Sequence, residues 1–143
     1  MAIIGKITTN SILLPGLFTI LALFGCSAAG GYRINHFETG KIVIDGKIYR
    51  HDIVIMPDGS VHHAQGEMHS ISFDDIEEFI SLPGIKTLVV GAGTESNVTL
   101  QEELPAQLKE MGIEIKMMST EDAIHLLNRS PKEGVVTVLH LNC

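Results

Sequence analysis

The sequence predicts a single α/β domain whose sheet is partly parallel. Hairpin-type strands come first, and three helix-like segments then alternate with three apolar strands. Strands that alternate with helices are joined by right-handed crossovers, which place those strands side by side and parallel. The 143 residues suit one domain, and a chain that is 45% hydrophobic and 19% charged is typical of a folded protein rather than a disordered one.

The first strands are predicted to form an antiparallel meander. Two β-rich runs, Lys41–Ile44 and residues 49–56, flank the pair Asp45-Gly46. Such a pair favours a tight hairpin, because both of its residues must adopt positive φ. A second turn at Pro57-Asp58-Gly59 precedes a short strand, Val61–His63, with which the meander ends.

The rest of the chain is predicted to alternate between helices and buried strands. Ser72 and Asp75 resemble a capping box at the start of the first helix. Pro105 suits the first turn of the second helix, where few amide donors are needed. Helices are predicted from Phe73 to Ile80, within residues 102–111 and between Ser119 and Ser130, and strands at residues 87–90, 113–118 and 135–141.

The N-terminal residues are predicted to be a signal peptide over residues 1–25. Residues 12–26 carry no charge and follow Lys6. A positive start and an apolar run of about 15 residues are typical of a secretory signal, whereas a membrane span needs about 20. The run ends in Leu23-Phe24-Gly25-Cys26-Ser27, which resembles a bacterial lipobox with Phe24 as a departure.

This resemblance implies that Cys26 carries a lipid and that residues 26–35 are a tether. The protein would then be anchored to a membrane of the cell envelope. The alternatives are an unmodified signal peptide, an uncleaved anchor, or a start codon placed too far upstream, which would leave the domain cytoplasmic.

Composition excludes several classes of partner and site. The formal charge of −7 and the lack of a basic cluster argue against nucleic-acid binding, which depends on Lys and Arg neutralising phosphates. Cys26 and Cys143 are too far apart for a zinc-knuckle spacing, and two cysteines do not make a disulfide scaffold.

Six sequence blocks, taken in order, resemble one known family. The family is the Mth nine-three-eight domain family, formerly a domain of unknown function, whose relatives include an adipogenesis-associated protein and a mitochondrial complex I assembly factor. The resemblance covers residues 36–143 and implies one three-layer α/β domain around a mixed sheet, with no catalytic residues to carry over. The blocks are residues 39–49, 51–59, 69–72, 88–94, 119–124 and 140–143, where Asn142 replaces an expected Thr.

The glycine-rich turn that follows the predicted strand at residues 87–90 is the candidate binding region. Gly91-Ala92-Gly93 follows a buried strand, at the edge where α/β sheets bind ligands. A dinucleotide is disfavoured, because Ser96 stands where a third Gly or Ala is needed. A tight turn that requires glycine is the structural alternative. The predicted ligand- or partner-binding residues are Gly91, Gly93, Thr94, His69 and Asn128.

No metal site and no catalytic pair is predicted. Imidazole and carboxylate groups such as those of His62, His63, Glu67 and His69 can bind a metal ion, but the adjacent strand residues His62 and His63 point to opposite faces. His140 and Cys143, three apart, would lie about 10 Å apart on opposite sides of an extended strand. His140 is therefore predicted to be a buried, hydrogen-bonded histidine, and the adjacent pair His51-Asp52 is predicted to be structural.

Together these observations favour a non-enzymatic binding or assembly-type domain with a protein partner, without a cofactor, held at a bacterial membrane by a lipid. The alternative is a small-molecule-binding protein or small enzyme with a pocket beside Gly91-Ala92-Gly93. Oligomeric state stays open.

Overall fold

The computed structural model describes residues 31–66 and 68–143. The predicted signal peptide, Cys26 and Glu67 lie outside the described residues. No helix in the described ranges is long and apolar enough to cross a membrane. The folded body starts earlier than residue 36, since Tyr32 is buried and Ile34 begins a strand.

Ten strands and three helices make up the described part of the chain. In chain order they are β1 (Ile34–Glu38), β2 (Lys41–Ile44), β3 (Lys47–Tyr49), β4 (Ile53–Ile55), β5 (Val61–His63), β6 (Ser70–Ile71), α1 (Phe73–Ile80), β7 (Thr87–Gly91), β8 (Thr99–Leu100), α2 (Leu104–Glu110), β9 (Glu114–Met118), α3 (Thr120–Arg129) and β10 (Val135–Leu139).

A mixed five-stranded sheet forms the centre of the domain, in the order β5-β4-β10-β7-β9. β7 pairs in parallel with both β10 and β9. β4 is antiparallel to β10 and to β5. The predicted α/β class and mixed sheet are confirmed.

The predicted meander is not continuous. β2 and β3 pair with each other and with β1 in a separate three-stranded antiparallel sheet, whereas β4 and β5 belong to the central sheet. The run over residues 49–56 is therefore divided between Tyr49 and Ile53, where the chain crosses from one sheet to the other. β1 and the two-residue strands β6 and β8, which pair in parallel, were not predicted.

Alternating side chains of the central sheet bury two separate cores. Leu88 and Val90 of β7 contact the core beneath α1 and α2, whereas Val89 faces the other side. There α3 and the three-stranded sheet cover the strands and bury residues such as Ile42 and Leu127. The predicted three layers are confirmed, and they enclose two interiors rather than one.

The helix boundaries follow from local chemistry. The Asp75 carboxylate accepts hydrogen bonds from the backbone N–H (2.8 Å) and the hydroxyl (2.7 Å) of Ser72, so the predicted capping box opens α1. The Ser119 hydroxyl accepts from the backbone N–H of Asp122 (3.1 Å) at the start of α3. β7, β9 and β10 end at the same edge of the central sheet, since Gly91 pairs with both Met118 and Leu139.

Candidate functional site

The carboxyl edge of the parallel strands is covered by the protein's own chain. After β10 ends at Leu139, residues 140–143 run across the turn that follows β7. The backbone N–H of His140 donates to the carbonyl of Gly91 (2.9 Å), and that of Glu95 donates to the carbonyl of Cys143 (3.2 Å). The crevice in which a ligand was predicted therefore holds these four residues.

Gly91 and Gly93 are required for this close packing. A Cβ on Gly93 would lie 2.5 Å from the carbonyl oxygen of Cys143, and φ at Gly93 is +90°. A Cβ on Gly91 would lie 2.7 Å from a methyl carbon of Leu139. Both glycines allow other segments of the chain to approach closely, in agreement with the structural alternative of a tight turn that requires glycine.

Thr120 links three segments at this edge. Its buried hydroxyl donates to the carbonyl of His140 (2.7 Å) and accepts from the N–H of Gly93 (2.9 Å). Its own N–H donates to the carbonyl of Gly93 (3.1 Å). The first residue of α3 thereby fixes the turn after β7 relative to the segment after β10.

Asp52 and His140 form a buried pair directly below this segment. Asp52 Oδ2 lies 2.7 Å from His140 Nδ1, and the two residues are 3% and 0% exposed. The Asp52 carboxylate also accepts from the N–H groups of Leu141 (2.9 Å) and Met68 (2.9 Å). A carboxylate on Nδ1 favours the tautomer with its proton there, which leaves the lone pair of Nε2 facing away from Asp52.

That second ring nitrogen of His140 faces Cys143. The distance from Nε2 to the sulfur is 3.7 Å. The ring of His69 packs edge-on against that of His140, with 4.9 Å between centroids. One ligand atom from each of His69, His140 and Cys143 lies within 4.8 Å of the other two.

The expected separation of His140 and Cys143 was wrong because the strand ends too early. Extended geometry stops at Leu139, and Cys143 has a φ of +27°. The chain therefore turns and returns the thiol to the imidazole. Asp52 pairs with His140 rather than with its neighbour His51, a contact across 88 positions that periodicity does not report.

The arrangement permits two kinds of chemistry. Nε2 could accept a proton from the thiol, as in cysteine nucleophiles whose histidine is oriented by a third group. Alternatively, a thiolate and two imidazoles could coordinate a transition-metal ion.

An exposed loop lies beside this cluster. Residues 94–97 are exposed, and the N–H of Glu95 is bound to Cys143. The N–H of Thr99, just after the loop, donates to the carbonyl of His69 (2.9 Å). Two of the predicted binding residues, Thr94 and His69, thus share one surface with Cys143.

Asn128 lies elsewhere and has a structural contact. Its side chain accepts from the N–H of Ile34 (3.0 Å) and donates to the carbonyl of Ile34 (2.9 Å). These two hydrogen bonds satisfy both backbone groups of Ile34 and attach β1 to α3. Among the histidines that the sequence offers as metal ligands near β5, His69 alone joins a group of three possible ligands within the described ranges.

Comparisons with known proteins agree with the fold. A family described as "Protein of unknown function (DUF498/DUF598)" matches residues 34–141. A conserved hypothetical protein from Pyrococcus horikoshii is 25% identical with a TM-score of 0.70, and the match covers 78% of this chain and 99% of that one.

Two bacterial structures are similar as well. An outer membrane protein from Bartonella henselae is 24% identical with a TM-score of 0.68, over 80% of this chain and 98% of that one. A Bordetella pertussis protein described as a Mth938-like domain is 16% identical with a TM-score of 0.59, over 79% and 87% of the two chains. The resemblance found in the sequence is confirmed.

Proposed function

The chain belongs to the DUF498/DUF598 family of proteins of unknown function, and we propose that it is a non-enzymatic binding domain of the assembly type. The observation that carries the proposal is the filled carboxyl edge of the sheet. Residues 140–143 occupy the crevice in which an α/β domain would hold a small ligand. What remains for recognition is a surface, which suits a protein partner better than a metabolite.

The recognition surface is formed by residues 94–97 together with His69. Backbone hydrogen bonds hold the turn that leads into this loop, from Ala92 to Met118 (2.8 Å) and from Glu95 to Cys143 (3.2 Å). A loop held in this way loses little conformational entropy on binding, which favours affinity. Glu95 and the net charge of −7 favour a partner with basic and hydrogen-bonding groups.

The alternative of a pocket beside Gly91-Ala92-Gly93 has less support. Both glycines face the protein's own backbone and side chains at contact distance. A ligand there would have to displace residues 140–143 and their hydrogen bonds.

Site-specific photo-crosslinking in the full chain tests the proposal. A photoreactive residue at Thr94 is expected to capture one discrete protein in the native host, because Thr94 is exposed within the surface. The matched control is Glu110, an exposed residue that ends α2 shortly before β9 begins, at the opposite edge of the parallel strands. Equal capture from Thr94 and Glu110, or none from Thr94, would contradict the proposal.

We further propose that a lipid on Cys26 anchors the domain to a bacterial membrane. The support is the lipobox-like sequence at residues 23–27. Diacylation would provide a more stable anchor than a single acyl chain. The intact mass of the native protein is expected to correspond to a chain that begins at a diacylated Cys26, and a mass matching an unmodified chain from Met1 would refute this anchor.

A further inference from the structure

Beyond this binding role, we propose that His69, His140 and Cys143 form a site for one zinc-class transition-metal ion. The three residues come from different parts of the fold. His69 precedes β6, His140 follows β10, and Cys143 lies where the chain has turned back over the sheet edge. This is a departure from the sequence analysis, which predicted no metal site.

The distances fit tetrahedral coordination. Zinc binds sulfur at about 2.3 Å and imidazole nitrogen at about 2.0–2.1 Å, so neighbouring ligand atoms lie about 3.4–3.6 Å apart. The sulfur of Cys143 is already 3.7 Å from Nε2 of His140, and all three ligand atoms lie within 4.8 Å of one another. Coordination requires the widest of these separations to close by about 1 Å.

Asp52 prepares His140 for this role. Its carboxylate binds Nδ1 at 2.7 Å and is itself fixed by the N–H groups of Met68 and Leu141. Histidines that ligate metals commonly donate their other N–H to a carboxylate, which orients the ring and makes it a better ligand. The buried His140 therefore has one nitrogen fixed by Asp52 and the other directed at the candidate site.

The ligand set identifies the class of ion. One thiolate and two imidazoles suit zinc and its substitute cobalt, whereas magnesium and calcium prefer oxygen ligands. A divalent ion would also balance the negative charge that a cysteine thiol acquires when it ligates a metal. Three protein ligands leave a fourth position for water or an external ligand.

Cobalt titration of the full chain, kept reduced with a non-thiol reductant, is the direct test. We expect one Co²⁺ per chain, with a sulfur-to-cobalt charge-transfer band and the strong visible absorption of a tetrahedral ion. The charge-transfer band should disappear in Cys143→Ser, and His69→Gln should weaken binding at least about 10-fold. Cys143 and His69 are both exposed, so the metal-free variants should have the same midpoint of urea unfolding as the wild type.

Asp52→Asn tests the role of the carboxylate without removing a ligand. An amide has one acceptor oxygen and no charge, so it cannot satisfy all the N–H groups that the carboxylate binds and it orients the His140 ring less well. Binding should weaken about 10–100-fold, provided that the metal-free variant keeps its far-ultraviolet circular dichroism.

The matched control removes the exposed histidines of β5, with His62→Gln and His63→Gln combined. Neither residue belongs to the candidate site, so affinity and spectrum should be unchanged. The proposal is overturned if no charge-transfer band forms, if the band persists in Cys143→Ser, or if binding depends on the β5 histidines instead. None of these outcomes bears on capture from Thr94, so the two proposals fail separately.

Discussion

Thr120 and Thr137 are both completely buried, yet they differ in hydrogen bonding. The Thr120 hydroxyl donates to His140 and accepts from Gly93. Among the described residues, neither the Thr137 hydroxyl nor the hydroxyl of the neighbouring Tyr32 makes a hydrogen bond of good geometry. Burial raises the pKa of Tyr32 to about 12, and a weak polar interaction with the Thr137 hydroxyl lowers it only in part. The two threonines therefore form a matched pair for measuring how much the hydrogen bonds of a buried hydroxyl contribute to the free energy of unfolding.

Thr120→Val should lower the free energy of unfolding by about 2–6 kcal/mol. The substitution keeps the shape of the side chain but leaves the N–H of Gly93 and the carbonyl of His140 without this partner, and each unsatisfied buried group costs about 1–3 kcal/mol. Thr137→Val removes a hydroxyl that has only a weak polar interaction with the Tyr32 hydroxyl, so stability should stay within about 0.5 kcal/mol or rise. Urea unfolding of both variants measures the difference, and equal losses would show that the Thr120 contacts contribute little.

The candidate site shows how far single residues can be interpreted from sequence. His140 was predicted to be a buried, hydrogen-bonded histidine, and it is buried with Asp52 as its partner. Identifying that partner needed the antiparallel pairing of β4 with β10, which brings together residues 88 positions apart. The sequence also predicted that Cys143 lies on the opposite side of the strand from His140, because no Gly or Pro after Leu139 indicates a turn.

At the level of elements, the turn after β7 and the segment after β10 act as one unit. Gly93 and Gly112 both adopt positive φ, +90° and +74° respectively. A Cβ on Gly112 would meet nothing within 4 Å, whereas one on Gly93 would meet backbone atoms of Asn142 and Cys143 at 2.5–2.8 Å. A comparison of substitutions at Gly112 and Gly93 therefore separates the cost of backbone strain from the cost of a steric clash.

Gly112→Ala should cost about 1–2 kcal/mol, the penalty for an L-residue in the left-handed region. Gly93→Ala should cost about 1–3 kcal/mol more, because residues 142 and 143 must move away from the new methyl group. Urea unfolding gives both values. Faster hydrogen exchange of the Glu95 amide, which is bound to Cys143, should accompany Gly93→Ala alone. Similar costs for the two variants would mean that the segment after β10 adapts without strain.

Elements with a strong local signal were predicted well, and those defined by distant partners were not. Capping residues and apolar spacing located α1 and α3, and the uniformly apolar runs located β7 and β10. β1 escaped prediction because its residues alternate poorly and pair only with β2. The division of residues 49–56 between two sheets also depends on tertiary pairing, since both halves are equally rich in β-forming residues.

At the level of the whole molecule, the two cores share the central sheet. The central sheet supplies side chains to each face, with Val54 in one core and Ile53 in the other. The similar proteins of Pyrococcus horikoshii and Bartonella henselae are matched over 99% and 98% of their own chains, although only 78% and 80% of this chain takes part. The family match likewise begins at residue 34, after residues 1–25.

Removal of residues 1–25 should accordingly leave the midpoint and slope of urea unfolding unchanged, with both chains measured in the same mild detergent. The slope is informative because it scales with the surface exposed on unfolding, and packing of the leader into a core would increase it. Removal of residues 1–33 is the matched control. It also deletes Tyr32, which is 3% exposed in the core under α3, and loss of a buried aromatic side chain costs about 3–5 kcal/mol. If the shorter deletion already lowers both midpoint and slope, residues 1–25 are part of the folded core, and the proposal of a domain tethered through Cys26 fails.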